Sequence, residues 1–394
     1  MRVGIELTCW ANRRGYGRFA RGLVRSLLRA DEKNDYVLFV DAQAAAAAEL
    51  PSATETVVLA TRTAPAEAAS ADGRRSIRDL WTMSAALSRQ HLDVLFYPTV
   101  YSWFPVRSSA TVIVGIHDVI AEDYPQQVFP RPYRRLLWQA KSWGARRQAD
   151  YLLTVSEHAK RGLLRHFRHP EERVWVVGEA ADPVFRPLAE EPVDRALLAR
   201  LDIDDRRQHL VYLGGFNPHK NVGGLLTALA RVRAGGAAGD LRLILIGAVA
   251  RETFTPGLEP LRRMISELGL ESAVRFTGYL VDEEVRQLLA FSRALVLPSL
   301  AEGFGLPAVE AAACGTPVVA TLNSPLPELL AGGGLFCDPA DPEALEAAIG
   351  SITTDDPLHA HLAAGALRSA RALSWSRSAG QFGELLDLIR EARR

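Results

Sequence analysis

Cysteine is scarce in this chain. Three occur in 394 residues, Cys9, Cys314 and Cys337, far apart and without a CxxC pair. That spacing argues against a disulfide framework or a zinc site and suits a reducing cytoplasm. Net charge is missing too: 46 basic residues meet 46 acidic ones, so broad attraction to nucleic acid is not expected. No apolar run approaches the ~18 residues of a membrane span. The opening Met-Arg-Val-Gly-Ile-Glu places Glu6 inside the first apolar stretch and is expected to be a strand, not a signal peptide. Lysine is rare, 4 residues against 42 arginines. Compositional drift would favour arginine, so each lysine draws notice. What remains, 48% apolar and 23% charged, is ordinary soluble composition, and the length suits about two to three domains.

Short apolar, β-branched runs alternate with amphipathic helical stretches. Strands are expected at 2–7, 36–40, 56–60, 94–97, 111–116, 151–155 and 173–177. A second series is expected at 210–213, 241–246, 274–277, 294–298, 317–320 and 334–337. Near-continuous apolar strands separated by helices imply parallel sheets covered on both faces, and two series imply two doubly wound α/β domains. The break falls near 182–205, where Pro183, Pro187 and Pro192 interrupt the pattern. Domains are therefore expected at 1–185 and 186–375. A final helix over 376–394, with Phe382, Leu385, Leu386, Leu388 and Ile389 in helical spacing, is expected to return to the first domain. The Ala-rich stretches 42–48 and 64–73 are expected to be a surface helix and a loop. Asp202-Ile203-Asp204-Asp205 contains a DxD triplet, but in the linker, where a solvated turn is expected and no metal site.

The richest segment is 301–319. Glu302 and Glu310 stand with seven residues between them, a Gly303-Phe304-Gly305 turn follows the first, and Leu306-Pro307 open a short Ala-rich helix. The turn thus sits at the carboxyl end of a strand and the amino end of a helix, where backbone N–H groups favour an anion such as phosphate. Carboxylates beside an anion site are suited to accept hydrogen bonds from hydroxyls. Phosphate next to hydroxyls describes a sugar nucleotide, with Glu310 on a ribose and Glu302 on the transferred sugar.

Four further segments bear on chemistry. Gly214-Gly215-Phe216-Asn217-Pro218-His219-Lys220-Asn221 follows a strand; Asn221 is a candidate N-cap, and Lys220 at the helix mouth is placed to reach a diphosphate. Gly15-Tyr16-Gly17 precedes a helix expected over 18–30. Seven residues separate it from the strand and position 20 lacks the third glycine, so a dinucleotide site is not expected even though Asp41 after the second strand mimics the ribose acid; a loop here could still reach a diphosphate. His117-Asp118 ends a strand, where α/β sheets place ligands, and His117 is a candidate for sugar hydroxyls. The stretch 131–147 carries six basic residues with Tyr133, Trp138 and Trp143. It fits an interfacial helix at anionic lipid or a core-packed helix, and packing is the expectation.

The 302–319 segment, with its E-x7-E spacing, resembles the glycosyltransferase family 4 enzymes, retaining transferases of GT-B fold. Phe276-Thr277-Gly278 before Tyr279, Gly247, and Thr154 to Lys160 are similar to further family segments. The 15–18 opening, the Gly115-Ile116-His117-Asp118 turn and the 214–221 loop resemble a mannosyltransferase branch. The resemblance implies two Rossmann-like domains facing across a cleft, the nucleotide mainly on the C-terminal one and the acceptor mainly on the N-terminal one. It also implies metal-independent chemistry without a cofactor and with retained configuration. Residue by residue, it implies ribose at Glu310, donor sugar at Glu302 and His117, diphosphate at Lys220, and backbone amides from Phe304 and Gly305. Gly15, Tyr16, Gly17, Gly215, Asn217, Gly278, Tyr279, Gly303 and Leu306 complete the expected donor site, with His117, Lys220 and Glu302 as the catalytic set. One departure stands out: many members have an arginine five residues before the lysine, and Gly215 occupies that place, leaving Arg14, Arg18 or His219 to compensate.

The expected reaction is front-face transfer of a hexose, first mannose from GDP-mannose, with a UDP-sugar as the alternative. The acceptor is a saccharide, a lipid-linked saccharide or a small molecule, with peripheral membrane contact at the inner face as a further expectation. A sugar-nucleotide epimerase of the same double fold would need acids placed for proton abstraction, and no clear pair is present. A binding protein without turnover is the remaining rival.

Overall fold

The computed structural model describes residues 1–12, 15–46, 50–53, 55–59, 77–129, 131–188, 191–236, 238–247 and 258–394. One compact unit comprises 1–125, 129–179 and 374–394; the other comprises 126–128 and 180–373. The first holds strands β1 (Arg2–Glu6), β2 (Asp35–Asp41), β3 (Glu55–Leu59), β4 (Val94–Tyr97), β5 (Thr111–Gly115), β6 (Tyr151–Thr154) and β7 (Val174–Val176). The second holds β8 (His209–Leu213), β9 (Arg242–Ile246), β10 (Val274–Gly278), β11 (Ala294–Leu297), β12 (Val318–Thr321) and β13 (Gly334–Cys337). Each expected strand is present, its ends moved by at most a residue or so; Ala60 lies outside the described residues.

The sheets run β3-β2-β1-β4-β5-β6-β7 and β10-β9-β8-β11-β12-β13, with every described pair parallel. The apolar runs explain this: β4, β11 and β12 are buried at every position, as strands covered on both faces must be. Strand order reverses between β1 and β4 in the first unit and between β8 and β11 in the second. Loops leaving adjacent strands diverge at such a switch, opening a crevice at the carboxyl ends.

Helix Gly15–Ala30 covers the first sheet with Phe19, Ala20, Leu23, Val24 and Leu27. It begins three residues earlier than expected, so Gly15-Tyr16-Gly17 is its first turn rather than a preceding loop. The last helix, Trp375–Ala392, is capped by the Ser374 hydroxyl and buries Phe382, Leu385, Leu386 and Ile389 in this first unit. Phe382 packs on Phe96 with ring centroids 4.7 Å apart. Gly22 lets Trp375 close on helix Gly15–Ala30: a Cβ there would stand 2.2 Å from the indole. The Gln381 amide oxygen accepts from the Gly178 N–H at 3.0 Å, and the Gln381 carbonyl accepts from Trp175 Nε1 at 3.0 Å.

Of the Ala-rich stretch 42–48, residues Ala42–Ala45 are helical and capped by the Asp41 carboxylate; 47–48 and all of 64–73 lie outside the described residues. The proline-interrupted linker is anchored. Arg286, 1% exposed, donates to the carbonyls of Arg186 at 3.1 Å and Pro187 at 3.3 Å, and pairs with Glu191 and Glu283. Charge this deeply buried persists only when paired and fully hydrogen-bonded. In the acidic triplet, Asp202 pairs with Arg275 and Asp204 with Arg206, so both carboxylates answer an arginine.

Helix Pro132–Gln148 departs from the packed reading. Its inward face is Trp138, Ser142 and Ala145, with the Trp138 indole N–H donating to Glu122 at 2.9 Å. Tyr133, Leu136, Leu137 and Trp143 are exposed.

Candidate active site

In the second unit the loops after β8 and β11 leave from opposite sides of the switch point. They are stitched together by backbone: the Leu300 N–H donates to the His219 carbonyl at 2.8 Å. A glycine is required behind them, because a Cβ on Gly247 would lie 2.1 Å from the Gly214 carbonyl oxygen. The β8 loop passes the Gly215 carbonyl, which accepts from the Tyr212 hydroxyl, and turns through a 3₁₀ segment, Pro218–Lys220, into helix Val222–Ala234. Asn221 occupies the N-cap position in the left-handed region at φ 52°, but its side chain does not cap. Its amide instead donates to the Pro339 carbonyl at 3.4 Å.

This path delivers Lys220 to Glu302. Lys220 Nζ lies 2.7 Å from Glu302 Oε1, and the Ser299 hydroxyl donates to that same oxygen at 2.6 Å. Glu302 is 8% exposed, and its N–H donates to the Asn323 carbonyl at 3.2 Å. The Asn323 amide returns a bond to the Leu300 carbonyl at 2.8 Å, so the loop is cross-braced. Glu302 Oε2 has no hydrogen-bond partner among the described residues. One carboxylate oxygen is thus committed to protein and the other keeps its lone pairs for a hydroxyl.

The β11 loop then turns at Gly305, φ 84°, where a Cβ would stand 2.8 Å from Leu326. Gly305 caps helix Leu306–Ala313, with Pro307 in its first turn. Gly303, Phe304 and Leu306 are buried, and Glu310, the fifth residue of the helix, is 2% exposed. Burial and the neighbouring Glu310 push the Cys314 thiol up to about 12, so it is not a nucleophile at neutral pH.

Two more polar atoms in the β8 loop are sealed from solvent without a partner among the described residues: Asn217 Oδ1 and His219 Nδ1. Buried polar atoms are normally satisfied, so each of these two has bonding capacity left unused by the protein. Burial, and then Lys220 beside it, lowers the His219 pKa to about 4. His219 is therefore neutral at pH 7 and does not supply the positive charge missing at Gly215. Arg14 lies outside the described residues. Gly278, φ 75°, ends β10 and offers its carbonyl to the Gly247 N–H at 3.2 Å, with Tyr279 next to it 51% exposed.

The remaining candidates lie in the first unit. Gly17 is forced by close approach, since a Cβ would fall 2.0 Å from the Asn12 carbonyl oxygen. Gly15 faces open space. Tyr16 accepts from the Asn12 amide at 2.7 Å and packs 5.4 Å from Tyr101. His117 follows β5, its Nε2 2.9 Å from the Pro98 carbonyl and its ring packed edge-on against Phe19 with centroids 4.6 Å apart. Burial lowers its pKa to about 4. A neutral ring donating from Nε2 has only a lone pair on Nδ1, so Nδ1 accepts, and its 3.8 Å approach to Glu179 is no hydrogen bond. Sequence reasoning passed over Ser299 and Asn323; their one signal was proximity to Glu302 and to a strand end.

Comparison with known proteins matches each unit. Residues 13–184 match the model of Glycosyltransferase Family 4 and residues 194–368 the model of Glycosyl transferases group 1. The chain is similar to the O-antigen chain mannosyltransferase B of Escherichia coli, 29% identical over 311 residues, 76% of this chain and 74% of that one. It is 33% identical over 301 residues to the D-inositol 3-phosphate glycosyltransferase of a Nocardioides species, covering 73% of this chain but 62% of that relative. Sucrose-phosphate synthase from Thermosynechococcus elongatus has the same fold over 100% of both chains, with TM-score 0.76 and 19% identity. WaaG, a glycosyltransferase of lipopolysaccharide biosynthesis, matches with TM-score 0.72 at 16% identity over 97% of this chain and 99% of that one. With one family model on each parallel sheet and the E-x7-E segment at the second switch point, this chain is a glycosyltransferase of GT-B fold and belongs to family 4.

Proposed function

We propose that the protein transfers a hexose from a sugar nucleotide to a hydroxyl of a saccharide or lipid-linked saccharide, retaining anomeric configuration and needing no metal. The second unit binds the donor and the first the acceptor. The observation that carries this reading is the Lys220–Glu302 pair at the switch point, with Glu302 Oε2 left for a hydroxyl. Lys220 has donors to spare for a diphosphate, and the amino end of helix Leu306–Ala313 lies next in the chain. Glu310 takes the ribose, and His117 Nδ1 accepts from a sugar hydroxyl. The acceptor hydroxyl attacks from the face the nucleotide leaves, and a diphosphate oxygen takes its proton. The protein's part is positioning, plus stabilising charge that grows on the leaving group.

The donor is GDP-mannose. The names of two relatives favour mannose: the E. coli enzyme above, and the MMP alpha-(1->4)-mannosyltransferase of Mycolicibacterium hassiacum, 33% identical over 242 residues. Thermal shift with a panel of GDP- and UDP-sugars tests the donor, since a ligand bound at 100 times its Kd adds about 2.7 kcal/mol of stability. GDP-mannose should raise Tm most, and Glu310→Ala should abolish the shift. A larger shift with a UDP-sugar would replace GDP-mannose as donor. An unchanged shift in the variant would remove the ribose role of Glu310.

A further inference from the structure

Helix Pro132–Gln148 carries two apolar stripes where a surface helix needs one. Trp138, Ser142 and Ala145 face the first unit. On the opposite side Tyr133, Leu136, Leu137, Ala140 and Trp143 follow one another at three- and four-residue steps, a second continuous stripe. Leu136 is 67% exposed, Leu137 60% and Trp143 63%. Residues left to solvent are normally polar, and a contiguous exposed apolar patch marks a contact surface.

The charge around the stripe says what it contacts. Residues 131–149 contain six basic side chains and no acidic one, in a chain whose net charge is zero. Arg131 precedes the first turn, Arg135 is exposed on the flank of the helix and Arg147 follows Trp143 by one turn. None of these three has a carboxylate partner among the described residues, whereas Arg146, near the inward side, lies over the Phe167 ring at 3.8 Å. Leucines flanked by tryptophan, tyrosine and unpaired arginines match a bilayer boundary. The aliphatic groups enter the acyl region, the amphipathic rings sit at headgroup depth, and the guanidinium groups reach the phosphates.

We propose that this outward stripe is a docking surface for an anionic phospholipid bilayer, with the helix lying in the interface plane. The stripe lies in the first unit and the proposal does not depend on how the transfer site is read. No helix of the described residues is long and apolar enough to cross a membrane, so contact of this kind is peripheral.

Flotation of the full chain with vesicles tests this, comparing pure phosphatidylcholine with phosphatidylcholine containing phosphatidylglycerol. The protein should float with the anionic vesicles, less so as salt rises. The triple variant Leu136→Ser/Leu137→Ser/Trp143→Ser should partition at least about tenfold more weakly. Arg135→Glu/Arg147→Glu should lose about fivefold per charge removed, and only on anionic vesicles. Because all five side chains point outward, melting temperatures should stay at the wild-type value, and a variant that melts early is replaced by Trp143→Ser alone. Three results would overturn the proposal: no flotation of the wild type, equal binding by the triple variant, or a wild-type dimer in light scattering that the triple variant turns into a monomer. The last would assign the stripe to a second copy.

Discussion

Lys220 Nζ stands 2.7 Å from Glu302 Oε1, across 82 residues of chain and from the opposite side of the sheet's switch point. The two side chains proposed for different parts of a sugar nucleotide hold each other in the fold. This is preorganisation: Ser299 and the Asn323 brace fix the carboxylate, the carboxylate fixes the ammonium, and each keeps bonding capacity for a ligand.

Lys220→Ala separates two roles by magnitude. Loss of a charge acting on a developing diphosphate should lower kcat by about 100-fold or more. Loss of the partner of a mostly buried carboxylate should reduce stability by about 1–3 kcal/mol, because Ser299 still satisfies one bond. Steady-state kinetics and denaturant melts measure the two, and a double-mutant cycle with Glu302→Gln isolates the coupling. Near-normal turnover in Lys220→Ala would remove its part in catalysis, whatever the melts show.

Gly305→Ala should destabilise by about 1–3 kcal/mol, since its φ of 84° is strained for any residue with a Cβ and the added methyl meets the fully buried Leu326. Gly350→Ala is the matched control. It lies inside helix Pro342–Thr354 with nothing within 4 Å of the new Cβ, and it should stabilise by about 0.5–1 kcal/mol. Shifts of the same sign in both denaturation midpoints would contradict the account of the turn.

Acid should destabilise the fold between about pH 6.5 and 4. Burial holds His117, His209 and His219 near a pKa of about 4, while the unfolded chain protonates its imidazoles near 6.5. The unfolded state therefore binds more protons in that window, and stability present above pH 6.5 drains away as pH falls. Each group contributes on the order of 3 kcal/mol by pH 4. His209 lies away from the site, against Phe291, so His209→Gln should flatten the fall without touching donor binding. Melting temperatures across pH 4–7 decide the matter; parallel curves for wild type and variant would refute the assignment.

Much of the architecture was legible because parallel strands buried on both faces must be apolar throughout, and the thirteen runs announce themselves as such. The β11 loop was legible for a similar reason: Gly-Phe-Gly followed by Leu-Pro has few backbone solutions other than a tight turn into a helix. Asn221 misled, because side-chain type suggests a cap while its left-handed φ turns the amide toward Pro339. Helix Pro132–Gln148 misled too. Periodicity counts apolar residues, but two stripes on one helix look like a single wide one until the packing shows which side is covered.

The sequence by itself determined strand order in time, helix positions, glycine turns and the chemistry available in each loop, because those follow from local sterics and hydrophobic period. Only the tertiary structure decided which loops meet. The reversal of strand order between β8 and β11 brings Lys220 to Glu302, which Ser299 also holds, and burial there leaves His219 neutral; in the first unit, packing of helix Pro132–Gln148 through Trp138, Ser142 and Ala145 leaves Leu136 and Trp143 outward. Each of these depends on contacts between residues distant in the chain, which no local pattern encodes.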